Sequence, residues 1–374
     1  RSMKFSLSRD ELLRPIQTVN GVVERRQALP ILGNILLTLH DDVLAMTATD
    51  MEVELISRTP LSNGSEGEIT VPARKFIDIC RSLPADGEVS FAVEESRAVI
   101  RCGRSRFTLS TLPAADYPAS DALGDVLSVT IAQGELKRII DLTQFAMAQQ
   151  DVRYYLNGML FELSDTRLRV VATDGHRLAM AEMTLPEPVN IDGDSPRQLI
   201  VPRKGVLELG RLLDSSDALM TLAIGPSSIR ATVGDVTFSS KLVDGRFPDY
   251  ERVIPAHSDD DKHVIADRET VRQSLARASI LSNEKYRAIR LNLRSHALHV
   301  IANNPEQEEA EDEVEVAFEG EELEIGFNVS YLMDALANVP SETVSIFLTD
   351  ASSSCLILPE GREDCQYVVM PMRL

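Results

Sequence analysis

From Leu29 to Asp50 the chain reads LPILGNILLTLHDDVLAMTATD, and its apolar positions fall at every second residue. Ile35, Leu37 and Leu39 alternate with more polar or mixed neighbours, Asp41-Asp42 punctuates the chain, and Leu44, Met46 and Ala48 alternate again. A period of two on both sides of a turn signal predicts two strands, each with one buried face. The same figure returns at Met159, Phe161, Leu163, Leu168, Val170 and Ala172, 124 positions on (35 to 159). It returns again at Ile289, Leu291, Leu293, Leu298, Val300 and Ala302, a further 130 positions on (159 to 289). Six apolar positions in one register, three times over, are an internal repeat.

Each hairpin is flanked by segments of helical period. The preceding ones are Arg9 to Val19, Gln133 to Phe145 and Asp267 to Leu281; Pro15 lies within the first and is expected to kink it. The following ones are Ala73 to Leu83, Arg203 to Leu213 and Asn328 to Val339, the first two opening after Val71-Pro72 and Val201-Pro202. A further match pairs GRSRF (Gly103 to Phe107) with GDVTF (Gly234 to Phe238). The expected fold is therefore α+β: three copies of a domain with two helices packed on antiparallel sheets, over residues 1–124, 125–254 and 255–374. The stretch HSDDDKH (His257 to His263) is expected to be a linker. A protomer of similar domains that meets its own copy head to tail closes into a ring if the rotation allows.

Composition narrows the function. Apolar residues make up 44% of the 374, enough for globular cores, and no apolar run approaches the length of a membrane span. Asp and Glu number 58 against 38 Lys and Arg, a net charge of −20, which excludes coating nucleic acid by bulk charge. The chain shows no long apolar leader, so the cytoplasm is the expected compartment, and Arg1-Ser2 before Met3 reads as a remnant of expression. Cys80, Cys102, Cys355 and Cys365 are widely spread without a C-x-x-C pair and read as reduced packing residues.

Candidate chemistry is sparse. No phosphate-binding glycine loop, G-x-S-x-G or H-E-x-x-H occurs. Ser239-Ser240-Lys241 lies on an expected strand, and His296 and His299 lack a third ligand nearby, so no catalytic group, metal or cofactor is expected. The acidic run Pro305 to Glu313 admits three readings: a solvated loop, an ion site without the glycine of a calcium loop, or an interface for a basic patch such as Arg104 and Arg106. Scarce basic residues gather on or beside the candidate helices, which fits either ordinary solvation or a charged inner lining of a ring. Three functions stay in play at this level: a tether on nucleic acid, a metal-dependent hydrolase, and a repeat-built scaffold.

The stretches TLPAADYP (Thr111 to Pro118), QDVRYYLNGMLFE (Gln150 to Glu162), VATDGHRLA (Val171 to Ala179), SKLVDGRFPDYERV (Ser240 to Val253), ANNPEQEEAE (Ala302 to Glu311) and YVVMPMRL (Tyr367 to Leu374) resemble the bacterial sliding-clamp family, the beta subunit of the replicative DNA polymerase. The resemblance spans the chain from Met3. It implies a head-to-tail dimeric ring around duplex DNA, bound without sequence preference and without catalysis. It also implies a docking pocket for short peptides of the polymerase catalytic subunit, clamp-loader subunits, other polymerases and repair proteins. By resemblance that pocket comprises Leu156, Thr173, Gly175, His176, Arg177, Leu178, Pro248, Arg252, Val253, Asn328, Tyr331, Ser354, Val368, Met370, Pro371, Met372 and Arg373. DNA contacts fall at Arg26, Gln150, Arg153, Tyr154 and Tyr155, joined by Arg203 and Lys204 of a basic helix. The dimer seam sets Phe107 and Leu109 against Ile280 and Leu281, with Lys75, Arg104 and Arg106 facing Glu306, Glu308 and Glu311. The competing reading of the tail is an edge strand with a frayed end, where Pro371 would be at home.

Overall fold

A computed structural model describes every residue except Arg1, Asp192, Asp259 and Asp260. Asp259 and Asp260 of the expected linker therefore lie outside the described residues, as does Arg1. The first repeat runs β1 (Lys4–Ser8), α1 (Arg9–Asn20), β2 (Asn34–His40), β3 (Val43–Thr49), β4 (Val53–Pro60), β5 (Gly67–Pro72), α2 (Ala73–Ser82), β6 (Glu88–Glu94), β7 (Arg97–Cys102) and β8 (Ser105–Ser110). The second runs β9 (Leu127–Ala132), α3 (Gln133–Thr143), β10 (Gly158–Ser164), β11 (Arg167–Thr173), β12 (Arg177–Thr184), β13 (Arg197–Pro202), α4 (Arg203–Leu212), β14 (Leu219–Ile224), β15 (Ser228–Val233) and β16 (Val236–Lys241). The third runs β17 (Lys262–Asp267), α5 (Arg268–Ser279), β18 (Ala288–Arg294), β19 (Ala297–Asn303), β20 (Glu309–Glu315), β21 (Leu323–Asn328), α6 (Val329–Asn338), β22 (Thr343–Leu348), β23 (Cys355–Pro359) and β24 (Cys365–Val369).

All the apolar positions of the three aligned hairpins are buried, so the period of two marks the core face in every copy. Local chemistry sets the helix starts. Ser8 accepts the Glu11 N–H at 3.2 Å and Asp267 accepts the Thr270 N–H at 2.9 Å, satisfying donors that a helix leaves open at its first turn. Helix α1 continues through Pro15 to Asn20 rather than stopping there, with Leu12, Leu13, Ile16 and Val19 buried. It packs on α2, whose Phe76 is fully buried beside the stacked Phe5–Phe91 pair. Burying one such side chain stabilises by about 1.5–3 kcal/mol. The four cysteines are free and buried; burial pushes the Cys80 and Cys355 thiols up to about 12, so they stay protonated and inert.

Strand pairing goes beyond what the periodicity shows. The chain divides into two compact units, Arg1–Gly134 with Leu207–Leu242, and Glu135–Val206 with Val243–Leu374. The first unit holds sheets of order β1-β6-β7-β8 and β5-β2-β3-β4-β16-β15-β14-β9. The second holds β13-β10-β11-β12-β24-β23-β22-β17 and β20-β19-β18-β21. Each eight-stranded sheet thus joins four strands of one repeat to four of the next, through β4 with β16 and through β12 with β24. Of the edge strands, β8 and β20 occupy the places that β16 and β12 hold in the joined sheets, but are themselves joined to no other repeat among the described residues. Among the described residues no helix is long and apolar enough to cross a membrane.

Candidate functional site

The turn between β11 and β12, with the strand residue on either side of it, carries four of the expected pocket residues, and its shape is set by side chains bonding to backbone. Thr173 Oγ1 donates to the Arg177 carbonyl at 2.6 Å and accepts the Gly175 N–H at 3.2 Å. Asp174 Oδ1 accepts the N–H groups of His176 and Arg177 at 2.9 and 3.1 Å, a short local loop of the kind aspartate favours. Gly175 sits at φ +90°, and a Cβ there would lie 2.8 Å from Arg153 Nη1. Gly175→Ala should therefore cost about 1–2 kcal/mol from backbone strain alone, more with the clash, read as a lower midpoint in denaturant. An unchanged midpoint would contradict this geometry.

Arg177 is held from every side. Its guanidinium lies 4.7 Å over the Tyr331 ring and 5.4 Å over Phe145, pairs with Asp174 at 3.2 Å and Asp334 at 2.6 Å, and donates to the Phe145 carbonyl. His176 stacks on Tyr331 with ring centres 6.0 Å apart. Burial raises the Tyr331 hydroxyl above its ordinary pKa, reinforced by Asp174, so it stays a neutral donor. Asn328 Oδ1 caps α6 by accepting the Ser330 N–H. Arg177 and Asn328 thus bond within the chain, while His176 and Arg373 are exposed.

The apolar residues expected in the pocket gather on the neighbouring strands. Leu178 and Val368 are direct partners across β12 and β24, and both belong to a buried cluster with Val171, Leu356 and Phe247, against which Val253 packs. Leu156 is buried, Ser354 and Val253 are half-buried, and Pro248 and Arg252 are exposed. The tail is not a frayed edge: β24 lies between β12 and β23, an interior strand. Beyond it the Met370 N–H donates to the His176 carbonyl at 3.1 Å and the Met372 N–H to the Gly326 carbonyl at 2.8 Å. Met370, Pro371 and Met372 are half-buried there.

Sequence reasoning missed the supports of this site. Glu162, 2% exposed, accepts from Tyr250 Oη and Gln198 Nε2, both at 2.7 Å, and Arg169 Nη1 donates to Tyr250 Oη at 3.0 Å. Tyr250 opens the short turn that leads through Arg252 to Val253, so this network anchors that turn. Phe145, Asp174 and Asp334 were likewise unassigned. Only Asp174 had a signal, the Ala-Thr-Asp shared by residues 48–50 and 172–174.

Of the expected DNA contacts, Arg153 is bonded to Asp151 at 3.1 and 2.9 Å and to the Asp174 carbonyl at 3.3 Å. Those bonds hold the Asp151 carboxyl below its usual range. Gln150 takes φ +56°, Tyr154 is exposed, Tyr155 is half-buried against it, and Arg203 and Lys204 are half-buried on α4. Arg26, also exposed, belongs to the other unit. Of the expected seam, Lys75, Arg104, Arg106, Glu306, Glu308 and Glu311 are exposed, Ile280 is 78% exposed, and Phe107 and Leu281 are half-buried. Leu109 is already buried within the protomer. The solvated-loop reading of the acidic run holds for the exposed turn Pro305–Glu308 but not beyond it, because Glu309–Glu315 is the strand β20, with Asp312 held by Arg277 at 2.6 Å. The charge-rich composition had masked its alternation of half-buried Ala310 and Asp312 and buried Val314 with exposed glutamates.

Three family models cover nearly the whole chain: the N-terminal, central and C-terminal domains of the DNA polymerase III beta subunit match residues 3–121, 130–249 and 251–373. The chain is 53% identical to the beta sliding clamp of Pseudomonas putida and 51% to that of Escherichia coli K12, each over 373 residues and the full length of both chains. Among solved structures it resembles a Pseudomonas aeruginosa sliding clamp bound to griselimycin, with a TM-score of 0.95 and 54% identity, covering all of both chains. The sliding clamp of Caulobacter crescentus matches with a TM-score of 0.92 at 37% identity, again over both full chains.

Proposed function

The chain belongs to the DNA polymerase III beta subunit family, and from that premise we propose how its residues divide the work of a sliding clamp. A sliding clamp has no chemistry of its own: it dimerises, encircles duplex DNA, and tethers the replicative polymerase and other proteins to the template. The three clamp domains are residues 1–124, 125–254 and 255–374, and the protein works in the cytoplasm.

The observation that carries the ring is the pair of unfilled edges, β8 and β20. Register in the joined sheets predicts how they meet. Leu55 pairs with Ala48 and with Phe238, Ala179 pairs with Ala172 and with Tyr367, and Ala310 pairs with Ala302. Ala310 is thus the counterpart of Leu55 and Ala179, and Phe107 of Phe238 and Tyr367. Pairing β8 antiparallel with the partner's β20 then sets Phe107 opposite the partner's Ala310 and Arg106 opposite the partner's Glu311. Opposite charges meet on one face and apolar groups on the other. Repeated at the second seam, this head-to-tail contact closes a two-protomer ring.

Arg26, Gln150, Arg153, Tyr154, Tyr155, Arg203 and Lys204 are the proposed DNA contacts, loose and indifferent to sequence so that the ring slides. The net charge of −20 supports retention by topology rather than by grip. Loaded onto a nicked circle by its loader, the clamp should stay bound at high salt and run off when the circle is cut. Tight, salt-resistant binding to a short linear duplex would overturn this. The pocket around Leu178 and Val368 is the proposed dock for partner peptides, its apolar floor taking a Leu or Phe side chain and its methionines adapting to different sequences.

A further inference from the structure

A second cleft, of about 120 Å³, lies wholly within the first unit, between the turn that leads into β4, the segment after Tyr117 and strands β15 and β16. Strand register fixes its relation to the peptide pocket. Glu54 of β4 pairs with Ser239 of β16, as Leu178 of β12 pairs with Val368 of β24. The turns match bond for bond: Thr49 Oγ1 donates to the Val53 carbonyl and accepts the Met51 N–H, both at 3.0 Å. Asp50 Oδ1 accepts the N–H groups of Glu52 and Val53 at 2.9 and 2.8 Å. The cleft is the counterpart of the proposed peptide pocket one repeat earlier, with Glu54 where that pocket has the apolar Leu178.

Glu54 is 9% exposed, and among the described residues no ion pair reaches its carboxylate. Its carboxylate instead accepts from the Ser120 hydroxyl, 2.5 and 2.6 Å from the two oxygens, so one proton serves both. A carboxylate withdrawn from water without a counter-charge is costly, and the Ser120 that donates to it is exposed on its loop. Met51, at the mouth, holds φ +79° where its counterpart is Gly175 at +90°, and is 46% exposed. A non-glycine residue kept in that region is a strain that accumulates at ligand sites. Arg230, whose Nε donates to Ser239 Oγ at 3.3 Å, and Lys241 offer donors for peptide carbonyls.

We propose that this cleft is a second peptide-docking site, which seats an arginine or lysine side chain of a partner against Glu54. The choice of a peptide as ligand rests on the reading of the C-terminal pocket; the demand for a cation rests on Glu54 alone.

The test uses the full-length dimer labelled with ¹³C-methyl methionine, the Met51 resonance assigned through Met51→Leu. N-acetyl-arginine methylamide should shift that resonance saturably, and the uncharged norleucine derivative, which keeps only the apolar stem, should not. Glu54→Gln should weaken the arginine probe about tenfold or more, while Ser120→Ala, at an exposed position, should tighten it by freeing the carboxylate. No saturable shift, an equal response to the norleucine probe, or unchanged affinity in Glu54→Gln would overturn the proposal. Met370 and Met372 report the C-terminal pocket in the same spectra when a polymerase-derived peptide is added, so failure there is read separately.

Discussion

Ending the chain at Val369 should all but abolish binding of a polymerase-derived peptide while leaving the dimer mass and thermal unfolding nearly unchanged. The cut belongs after Val369 because that residue still pairs with Arg177 and Cys355 inside the sheet; removing it would damage β24 itself. Beyond it the tail makes two backbone bonds to the body, Met370 to His176 and Met372 to Gly326, and each contributes about 0.5–1.5 kcal/mol at most. Stability therefore changes little. Binding should change much, because the half-buried Met370 and Met372 belong to the proposed dock, and a ligand side chain would lose their apolar contact. Losing about 3 kcal/mol of apolar contact weakens binding by roughly a hundredfold. Fluorescence anisotropy with a labelled peptide reads this directly; a loss smaller than threefold would mean the tail is not part of the dock.

The contrast between the apolar strand residues and the clasp on Arg177 explains what the sequence could disclose. Leu178 and Val368 sit on strands whose apolar character is local and readable, and the aligned alternation at Ile35, Met159 and Ile289 reports buried faces because a strand's side chains must alternate. The helix bounds follow from equally local chemistry, such as Ser8 and Asp267 at the caps. Pairing between repeats is different. Nothing near Val53 specifies that β4 will lie beside β16, since that choice depends on which distant edges remain unpaired after each repeat folds. The clasp on Arg177 is non-local too: Phe145, Asp174, Tyr331 and Asp334 come from separate segments, and each alone reads as an ordinary residue. The Glu162–Tyr250 bond is hidden for the same reason, a buried carboxylate being legible only when its partners are in view.

Replacing Ile280 and Leu281 with aspartate should yield folded monomers near 41.3 kDa, where the wild-type dimer should sediment at about twice that mass. Ile280 stands 78% exposed at the end of α5, a large apolar group left in water unless a partner covers it. Covering Ile280 and Leu281 contributes about 1.5–3 kcal/mol each, before association costs, whereas Leu109 gains little because the protomer already buries it. The fold should survive, since neither substitution enters a buried core. A charge exchange tests the register independently. Arg106→Glu sets two carboxylates opposite each other at both seams, and adding Glu311→Arg restores opposite charges with the order reversed. Exposed pairs of this kind are worth about 0.2–1 kcal/mol, so the single variant should shift the dimer constant severalfold and the double should recover most of it. Sedimentation equilibrium at low salt measures both. A double variant no tighter than Arg106→Glu would show that Arg106 and Glu311 do not face each other, and a full-strength dimer in the aspartate variant would place the seam elsewhere.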